Sequence, residues 1–224
     1  LFDAFSQDRE LIRLAAIKNP TALHYASPEL KKDKELIEEL INYWGEAIIH
    51  ADVSLQTNSD LALKALKRCC VQYFGFSSIG APNVKELLHP NLLRDINFLK
   101  QAMQIKADLL EYLEKETLTQ FWNNREFLHI ALRCYGQYIE YVPKDILDKE
   151  LCIAAIESCP LSFYFIPDAL KPDIGLLNLY LAQLHKRTYA RFACRYIPEC
   201  LLKKPESFYM NVAYSAQAQV SWND

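Results

Sequence analysis

The sequence has few glycines for tight turns, no C-x-x-C pair of the kind found in zinc sites, and no apolar run long enough for a membrane span. It has five glycines and two methionines in 224 residues. So few glycines leave little room for tight β-turns, which favours helices over sheets. No uncharged apolar run approaches the roughly eighteen residues that a bilayer span needs, and no cationic start with an apolar core resembles a signal peptide. The start at Leu1 is also compatible with a fragment of a longer protein.

The cysteines and the overall charge exclude several further classes. There are seven cysteines, an odd number, and none form a C-x-x-C pair, which argues against a disulfide framework and a zinc site. They lie mostly in apolar runs, so we interpret them as buried thiols of a cytoplasmic, reducing compartment, with no cofactor and no metal. Cys69 or Cys70 paired with a distant histidine as a nucleophile is the less favoured alternative. The formal net charge of -3 gives no reason to expect nucleic-acid binding.

One thirteen-residue pattern recurs along the chain. It reads DRELIRLAAIKNP at residues 8–20, DKELIEELINYWG at 33–45 and DKELCIAAIESCP at 148–160. Seven openers mark its copies: Asp8, Asp33, Asn58, Asp95, Asn124, Asp148 and Asp173. If the opener is position zero, positions three, four, seven and eight are apolar or nearly so in every copy. This spacing predicts an amphipathic helix, with the Asp or Asn opener as its N-cap.

The rest of each copy predicts a short second element. Residues 20–30 (PTALHYASPEL) and 160–170 (PLSFYFIPDAL) have an aromatic residue, a proline and then a leucine, which predicts a short helix followed by a proline-started turn. Position seven is alanine in five of the seven copies, which predicts close approach by a neighbouring helix. An eighth helix is expected near Pro205.

These copies predict an all-α fold in a single domain over residues 1–224. Neither helix of a copy can bury its apolar face alone, so the copies are expected to stack as a right-handed-type α-solenoid of about seven to eight helix–turn–helix repeats. The period is too short for tetratricopeptide, ankyrin or HEAT repeats, and the leucine-rich strand signature does not recur. The predicted repeats span residues 8–32, 33–57, 58–94, 95–123, 124–147, 148–172, 173–204 and 205–224.

The tandem pattern D-x-E-[LF]-apolar-x-x-A, followed by Y-A-S-P-E-L-K-K-D, resembles a helical repeat family catalogued as a domain of unknown function. The resemblance covers residues 8–57 and 124–173. Members are best known in effector proteins that intracellular bacteria inject through type IV secretion systems, and in some protist and algal proteins. The resemblance implies a host-directed virulence role after translocation into a host cell, and it supplies no catalytic residues.

No catalytic motif stands out. The sequence has no phosphate-binding loop, G-x-S-x-G or H-E-x-x-H, and its five histidines are never paired at metal-ligand spacing. Glu38 and Glu39 could be read as paired catalytic carboxylates, but they occupy outward positions five and six, where a solvated face is expected. For His50 and Asp52 a local turn contact is expected rather than an acid–base pair.

The strongest sign of binding is a run of positive charge near the carboxyl end. Arg187, Arg191 and Arg195 recur every four residues and would share one face of a helix. With Lys186 and Tyr189 they are the predicted partner-binding residues of the segment 185–204, called here the basic ridge. Such a ridge would grip an acidic protein partner or, as an alternative, phosphoinositides or an anionic membrane surface.

The sequence therefore predicts a non-catalytic protein-interaction module that binds a protein partner through a repeat surface. The alternative is an enzyme, or part of one, with a site built across repeats or outside this sequence. Residues 71–91 and the segment after Tyr180 lengthen the repeat, and such insertions often map to a binding face.

Overall fold

The computed structural model describes residues 2–72, 84–113 and 115–186, and every regular element in this part of the chain is helical, as predicted. Within it, no helix is long and apolar enough to span a membrane. The contacts divide the chain into two lobes, the N-lobe (Leu1–Gln120) and the C-lobe (Phe121–Asp224). The openers divide it into repeats, which are called R1 to R7 from Asp8 to Asp173.

Long α-helices alternate with short helical pieces. The α-helices are α1 (Phe2–Gln7), α2 (Arg9–Lys18), α3 (Pro28–Lys31), α4 (Lys34–Tyr43), α5 (Val53–Gln56), α6 (Ser59–Gln72), α7 (Val84–Leu87), α8 (Ile96–Ile105), α9 (Lys115–Thr119), α10 (Arg125–Cys134), α11 (Lys149–Ser158) and α12 (Ile174–Lys186). The 3₁₀-helices are η1 (Pro20–Tyr25), η2 (Gly45–His50), η3 (Leu92–Arg94), η4 (Ala107–Tyr112), η5 (Gly136–Tyr141) and η6 (Pro160–Tyr164). The predicted short second helix is thus a 3₁₀-helix in the repeats where it is described.

Each long helix begins one residue after its opener, because the opener caps it. In R1 the backbone N–H of Leu11 donates to Asp8 Oδ1 at 3.0 Å. The N–H of position three donates to the opener's side chain in all seven repeats. A capping oxygen satisfies a backbone donor that has no partner inside the helix, which fixes where the helix starts.

The apolar stripe forms the core, with one correction. Every described stripe side chain is buried except Leu11, which is 40% exposed, and Ala15. The matching residues of R2, Leu36 and Leu40, are fully buried. Helix α4, which contains these two residues, packs against both α2 and α6.

Adjacent repeats approach closely at position seven, as the alanines predict. A Cβ atom added to Gly45 would lie 2.5 Å from the carbonyl oxygen of Ala65, the position-seven residue of the next repeat. Gly136 approaches the carbonyl of Ala155 in the same way. Each contact needs a residue without a side chain at the start of the 3₁₀-helix, so glycine matters here for space.

Ion pairs also join successive repeats, and sequence reasoning missed them. A base at position one of one repeat pairs with the opener of the next: Arg9 with Asp33 at 2.8 Å, Lys149 with Asp173 at 2.8 Å, and Arg125 with Asp148. Hydrogen bonds add to them, since the indole N–H of Trp44 donates to the Ile17 carbonyl at 2.9 Å. A basic residue directly after an opener, with an acidic opener in the next repeat, is the signal that could have revealed these pairs.

Candidate interaction surface

The predicted basic ridge falls almost wholly outside the described residues. Lys186 is the last residue of α12, and Arg187, Tyr189, Arg191 and Arg195 lie beyond it, as does the predicted eighth helix. Binding of an acidic partner or anionic surface by this ridge stays a prediction.

Glu38 and Glu39 form salt bridges to opposite neighbours. Glu38 lies 3.0 Å from Lys64 Nζ in R3, and Glu39 lies 2.7 Å from an Arg13 nitrogen in R1. The hydrogen bond from Lys64 lowers the pKa of Glu38, and the one from Arg13 lowers the pKa of Glu39. A general acid needs a carboxyl group with a raised pKa, whereas the pKa of Glu38 and that of Glu39 are both lowered. Their environment therefore does not favour that role.

His50 and Asp52 also have separate local contacts. Asp52 caps α5, since its Oδ1 accepts the backbone N–H of Ser54 at 3.0 Å and the Ser54 hydroxyl at 2.6 Å. The His50 ring instead lies against His24, with 6.4 Å between the centroids. The expected turn contact is confirmed for Asp52.

The described cysteines are free thiols, and burial works against a nucleophilic role for them. Burial raises the pKa of Cys69 to about 12 and that of Cys152 to about 12. The pKa of Cys70 is raised for the same reason. A nucleophilic cysteine needs a lowered pKa, so these thiols stay protonated at neutral pH. No group of three or more metal-ligating side chains occurs in the described part of the chain.

One open groove of about 570 Å³ lies between R5 and R6 in the C-lobe. Its lining includes Arg133, Cys134, Glu157, Ser158 and Cys159. The hydroxyl oxygen of Ser158 accepts the backbone N–H of Gly136 at 3.1 Å, and burial raises the pKa of Cys134. The groove therefore contains a hydroxyl held by Gly136 and, at Cys134, a thiol whose raised pKa disfavours the nucleophilic thiolate.

A more regular surface feature is an aromatic residue at position seventeen, at the end of the second-half 3₁₀-helix or directly after it. It recurs in the five repeats whose second half is described: Tyr25, His50, Tyr112, Tyr141 and Phe165. These residues are called the aromatic row, with three members in the N-lobe and two in the C-lobe. Tyr25 is 70% exposed and Tyr141 is 45% exposed, while the other three are half-buried. Large aromatic side chains that remain in water at a fixed repeat position are typical of binding surfaces.

The N-lobe part of the row is a contact cluster of rings. His24 lies edge-on to Tyr25 at 5.7 Å and to His50 at 6.4 Å between centroids, so it joins the ends of η1 and η2. Lys31 Nζ donates to the His24 carbonyl at 2.9 Å. Burial, followed by the neighbouring His24 and Lys31, lowers the pKa of His50, which favours its neutral ring. This cluster therefore presents the rings of His24, Tyr25 and His50 beside the Lys31 side chain, with the His50 ring favoured in its neutral form.

In the C-lobe, the Tyr141 ring packs against a buried aromatic side chain. Its ring is 5.8 Å from that of Tyr138, which in turn stacks on Trp122 at 6.1 Å. Tyr138 is 1% exposed, and burial raises its pKa. Its hydroxyl has no hydrogen-bond partner among the described residues. The exposed ring is thus held by packing, and little side-chain entropy remains to be lost when a partner binds.

The sequence contained the signal for this surface. The aromatic residue before the proline was interpreted as part of the fold, and its exposure depends on tertiary packing. Three of the five members are half-buried, and the neighbouring letters do not separate them from the exposed ones, since exposed Tyr141 and half-buried Phe165 both stand two residues before a proline.

The helices and their repeated interfaces define an all-α helical-repeat protein. Residues 8–56 and 124–171 match the model of a family described as Domain of unknown function (DUF4116). The two matched segments contain R1 with most of R2 and R5 with most of R6, and each includes one pair between repeats, Arg9–Asp33 and Arg125–Asp148. No curated protein and no solved structure matches the chain.

Proposed function

We propose that this protein is a non-catalytic interaction module that binds a protein partner through the aromatic row. The observation that carries the proposal is the exposure of Tyr25 and Tyr141 at the same repeat position, at the ends of η1 and η5. Tyrosine is enriched among the residues that contribute most to protein–protein binding. Its ring gives a large contact area and its hydroxyl can still bond to a partner or to water.

The rigidity of the support favours binding by these rings. Directly after Tyr25, the backbone N–H of Ala26 donates to the Leu23 carbonyl at 3.1 Å. Directly after Tyr141, the backbone N–H of Val142 donates to the Ile139 carbonyl at 3.2 Å. Both anchoring residues, Leu23 and Ile139, are buried. A preorganised surface loses less entropy on binding than a flexible loop.

In this proposal the repeats stack as an α-solenoid, which extends one surface over several repeats. The resemblance to repeats of injected effectors suggests a host protein as the partner. The basic ridge would add charge complementarity to an acidic partner.

Site-specific photo-crosslinking tests the proposal. A photoreactive phenylalanine analogue is introduced at Tyr25 or at Tyr141, and at Val53 as a control, because Val53 is 58% exposed on α5 and lies outside the row. After irradiation in host-cell lysate, the captured proteins are identified by mass spectrometry. We expect the same protein at both tyrosine positions and its absence at Val53.

The captured protein is then purified and its affinity is measured by calorimetry. Tyr25→Ala or Tyr141→Ala should weaken binding by about tenfold, which corresponds to about 1.4 kcal/mol. Val53→Ala should leave the affinity unchanged. Equal capture at all three positions, or unchanged affinity in both tyrosine variants, would contradict binding through the row.

A further inference from the structure

Helix α2 exposes a face that the later repeats bury. Leu11 is 40% exposed and Ala15 is also exposed, whereas Leu36 and Leu40 at the same positions of R2 are fully buried. Two more apolar side chains extend this surface, since Leu14 is 57% exposed and Phe5 is 51% exposed. In R2 to R7 the side chains at positions three and seven are buried, so residues of this type are suited to burial in a contact.

The exposed face has the spacing of a coiled-coil seam. Asp8, Leu11, Ala15 and Lys18 follow one another at intervals of three, four and three residues, which places them along one line of the helix surface. The two central residues are apolar and the two ends have opposite charges. All four are exposed.

The charged ends are available for pairing. Asp8 caps α2 through Oδ1 only. In R2 the other oxygen of the opener, Asp33 Oδ2, accepts Arg9 at 2.8 Å. Among the described residues, neither Asp8 Oδ2 nor the ammonium group of Lys18 has a salt-bridge partner.

The spacing of the four seam residues is symmetric about residue 13. This symmetry indicates which surface would be complementary to the seam. Residues equally far from Arg13 are Asp8 and Lys18, and Leu11 and Ala15. Two copies of α2 side by side in antiparallel orientation would place Asp8 against Lys18 of the partner subunit twice. Leu11 would pack on Ala15 of the partner subunit, also twice. A parallel pair of copies would instead oppose like charges, which is unfavourable.

We propose that this face is a homodimer interface, in which α2 pairs antiparallel with α2 of a second copy around a twofold axis that crosses the seam at the level of Arg13 along the helix. Arg13 itself lies on the opposite side of α2, where it pairs with Glu39. Such an isologous contact is self-complementary and closes on itself. One ten-residue helix offers less than the roughly 800 Å² per partner of a standard interface. The dimer is therefore weak and reversible, with a dissociation constant on the order of 100 µM.

Sedimentation equilibrium between about 5 and 500 µM protein tests this interface, over a range that brackets the expected dissociation constant. The wild-type chain should shift from monomer to dimer with rising concentration. Lys18→Glu places two carboxylates opposite one another and should raise the dissociation constant at least about tenfold. The control is Lys67→Glu, an exposed lysine of α6 away from the seam, which should leave the dissociation constant unchanged.

A charge swap distinguishes antiparallel pairing from other dimers. Asp8→Lys opposes two cations and also removes the cap of α2, so it should weaken the dimer. The double variant Asp8→Lys/Lys18→Glu lacks the same cap but restores opposite charges, so it should dimerise at least about tenfold more tightly than Asp8→Lys alone. A chain that is monomeric at every concentration, a dimer unaffected by Lys18→Glu, or a double variant no tighter than Asp8→Lys would each overturn the proposal.

Discussion

Asp33 divides its two carboxylate oxygens between two repeats. Oδ1 accepts the backbone N–H of Leu36 at 3.0 Å and starts α4, while Oδ2 accepts Arg9 Nε of the preceding repeat at 2.8 Å. Asp148 and Asp173 have the same division, with Lys149 Nζ at 2.8 Å from Asp173 Oδ2. One side chain therefore fixes both the start of a helix and its register against the neighbouring helix.

The cap should account for most of the stabilisation that Asp33 provides. Asp33→Ala removes both contacts and should lower the free energy of unfolding by about 1 kcal/mol, because a backbone donor loses its partner. Asp33→Asn keeps a capping oxygen and loses only the ion pair, whose Arg9 and Asp33 side chains are 41% and 26% exposed and so partly screened by water; it should cost clearly less. Urea denaturation measures both. Equal losses would show that the ion pair dominates.

Acid should destabilise the protein through the same openers. The pKa of Asp33 and that of Asp148 are affected first by burial, which raises them, but the backbone N–H and the arginine together lower each below 3.8. The hydrogen bond from Lys149, followed by that from the Leu176 N–H, lowers the pKa of Asp173. A carboxyl group whose pKa is lower in the folded state contributes stability above its unfolded pKa, and loses it as pH falls through the folded value.

Urea midpoints measured from about pH 6 to pH 2 should therefore fall most steeply below about pH 4. The triple variant Asp33→Asn/Asp148→Asn/Asp173→Asn should start lower and show a shallower decline. An unchanged slope in the triple variant would assign the acid sensitivity to other carboxylates.

The leucine at position three should contribute more to the free energy of unfolding in R2, where it is buried, than in R1, where it is exposed. Leu36→Ala leaves a cavity in a fully buried site and should lower the free energy of unfolding by about 2–5 kcal/mol. Leu11→Ala, at 40% exposure, is the matched control and should cost less than about 1 kcal/mol. Leu36→Asp or Leu151→Asp should abolish folding, because an unpaired charge would enter the core. Circular dichroism during urea titration distinguishes these outcomes.

Replacing glycine by alanine at the close contacts between repeats should lower the stability of the fold. Gly45→Ala and Gly136→Ala place a Cβ against the backbone carbonyls of Ala65 and Ala155, which cannot turn away, so each should cost about 1–3 kcal/mol. Gly175→Ala is the control, because the nearest atoms there belong to the side chains of Asp173 and Lys149. Its cost should be below about 1 kcal/mol. Thermal denaturation that ranks Gly175→Ala with the other two would contradict this explanation.

The thiols of the buried cysteines should be unreactive in the folded protein. With the pKa of Cys69 and that of Cys152 raised by burial to about 12, both should react slowly with a disulfide reagent at pH 8 and quickly after unfolding in guanidinium. Metal analysis should find no stoichiometric zinc, and a chelator should leave the melting temperature unchanged. One zinc per chain, or rapid modification of the folded protein at Cys69, would contradict a purely structural role.

The sequence by itself determined the helices. Their starts at Arg9, Lys34 and Lys149 follow from the preceding Asp, because an N-cap acts over three residues and needs no distant partner. The buried stripe follows from spacing alone, because a helix puts positions three, four, seven and eight on one face.

Tertiary structure decided which of these local features are covered and which are exposed. Leu11 and Leu36 have the same place in the pattern, yet Leu11 is 40% exposed, whereas Leu36 lies on a helix that packs against both α2 and α6 and is fully buried. The pairing of Arg9 with Asp33 joins residues 24 apart, and it depends on how two helices pack rather than on either segment. Tyr25 and Tyr141 project into water for the same reason, since exposure belongs to the arrangement of neighbouring repeats and a single repeat's sequence cannot encode it.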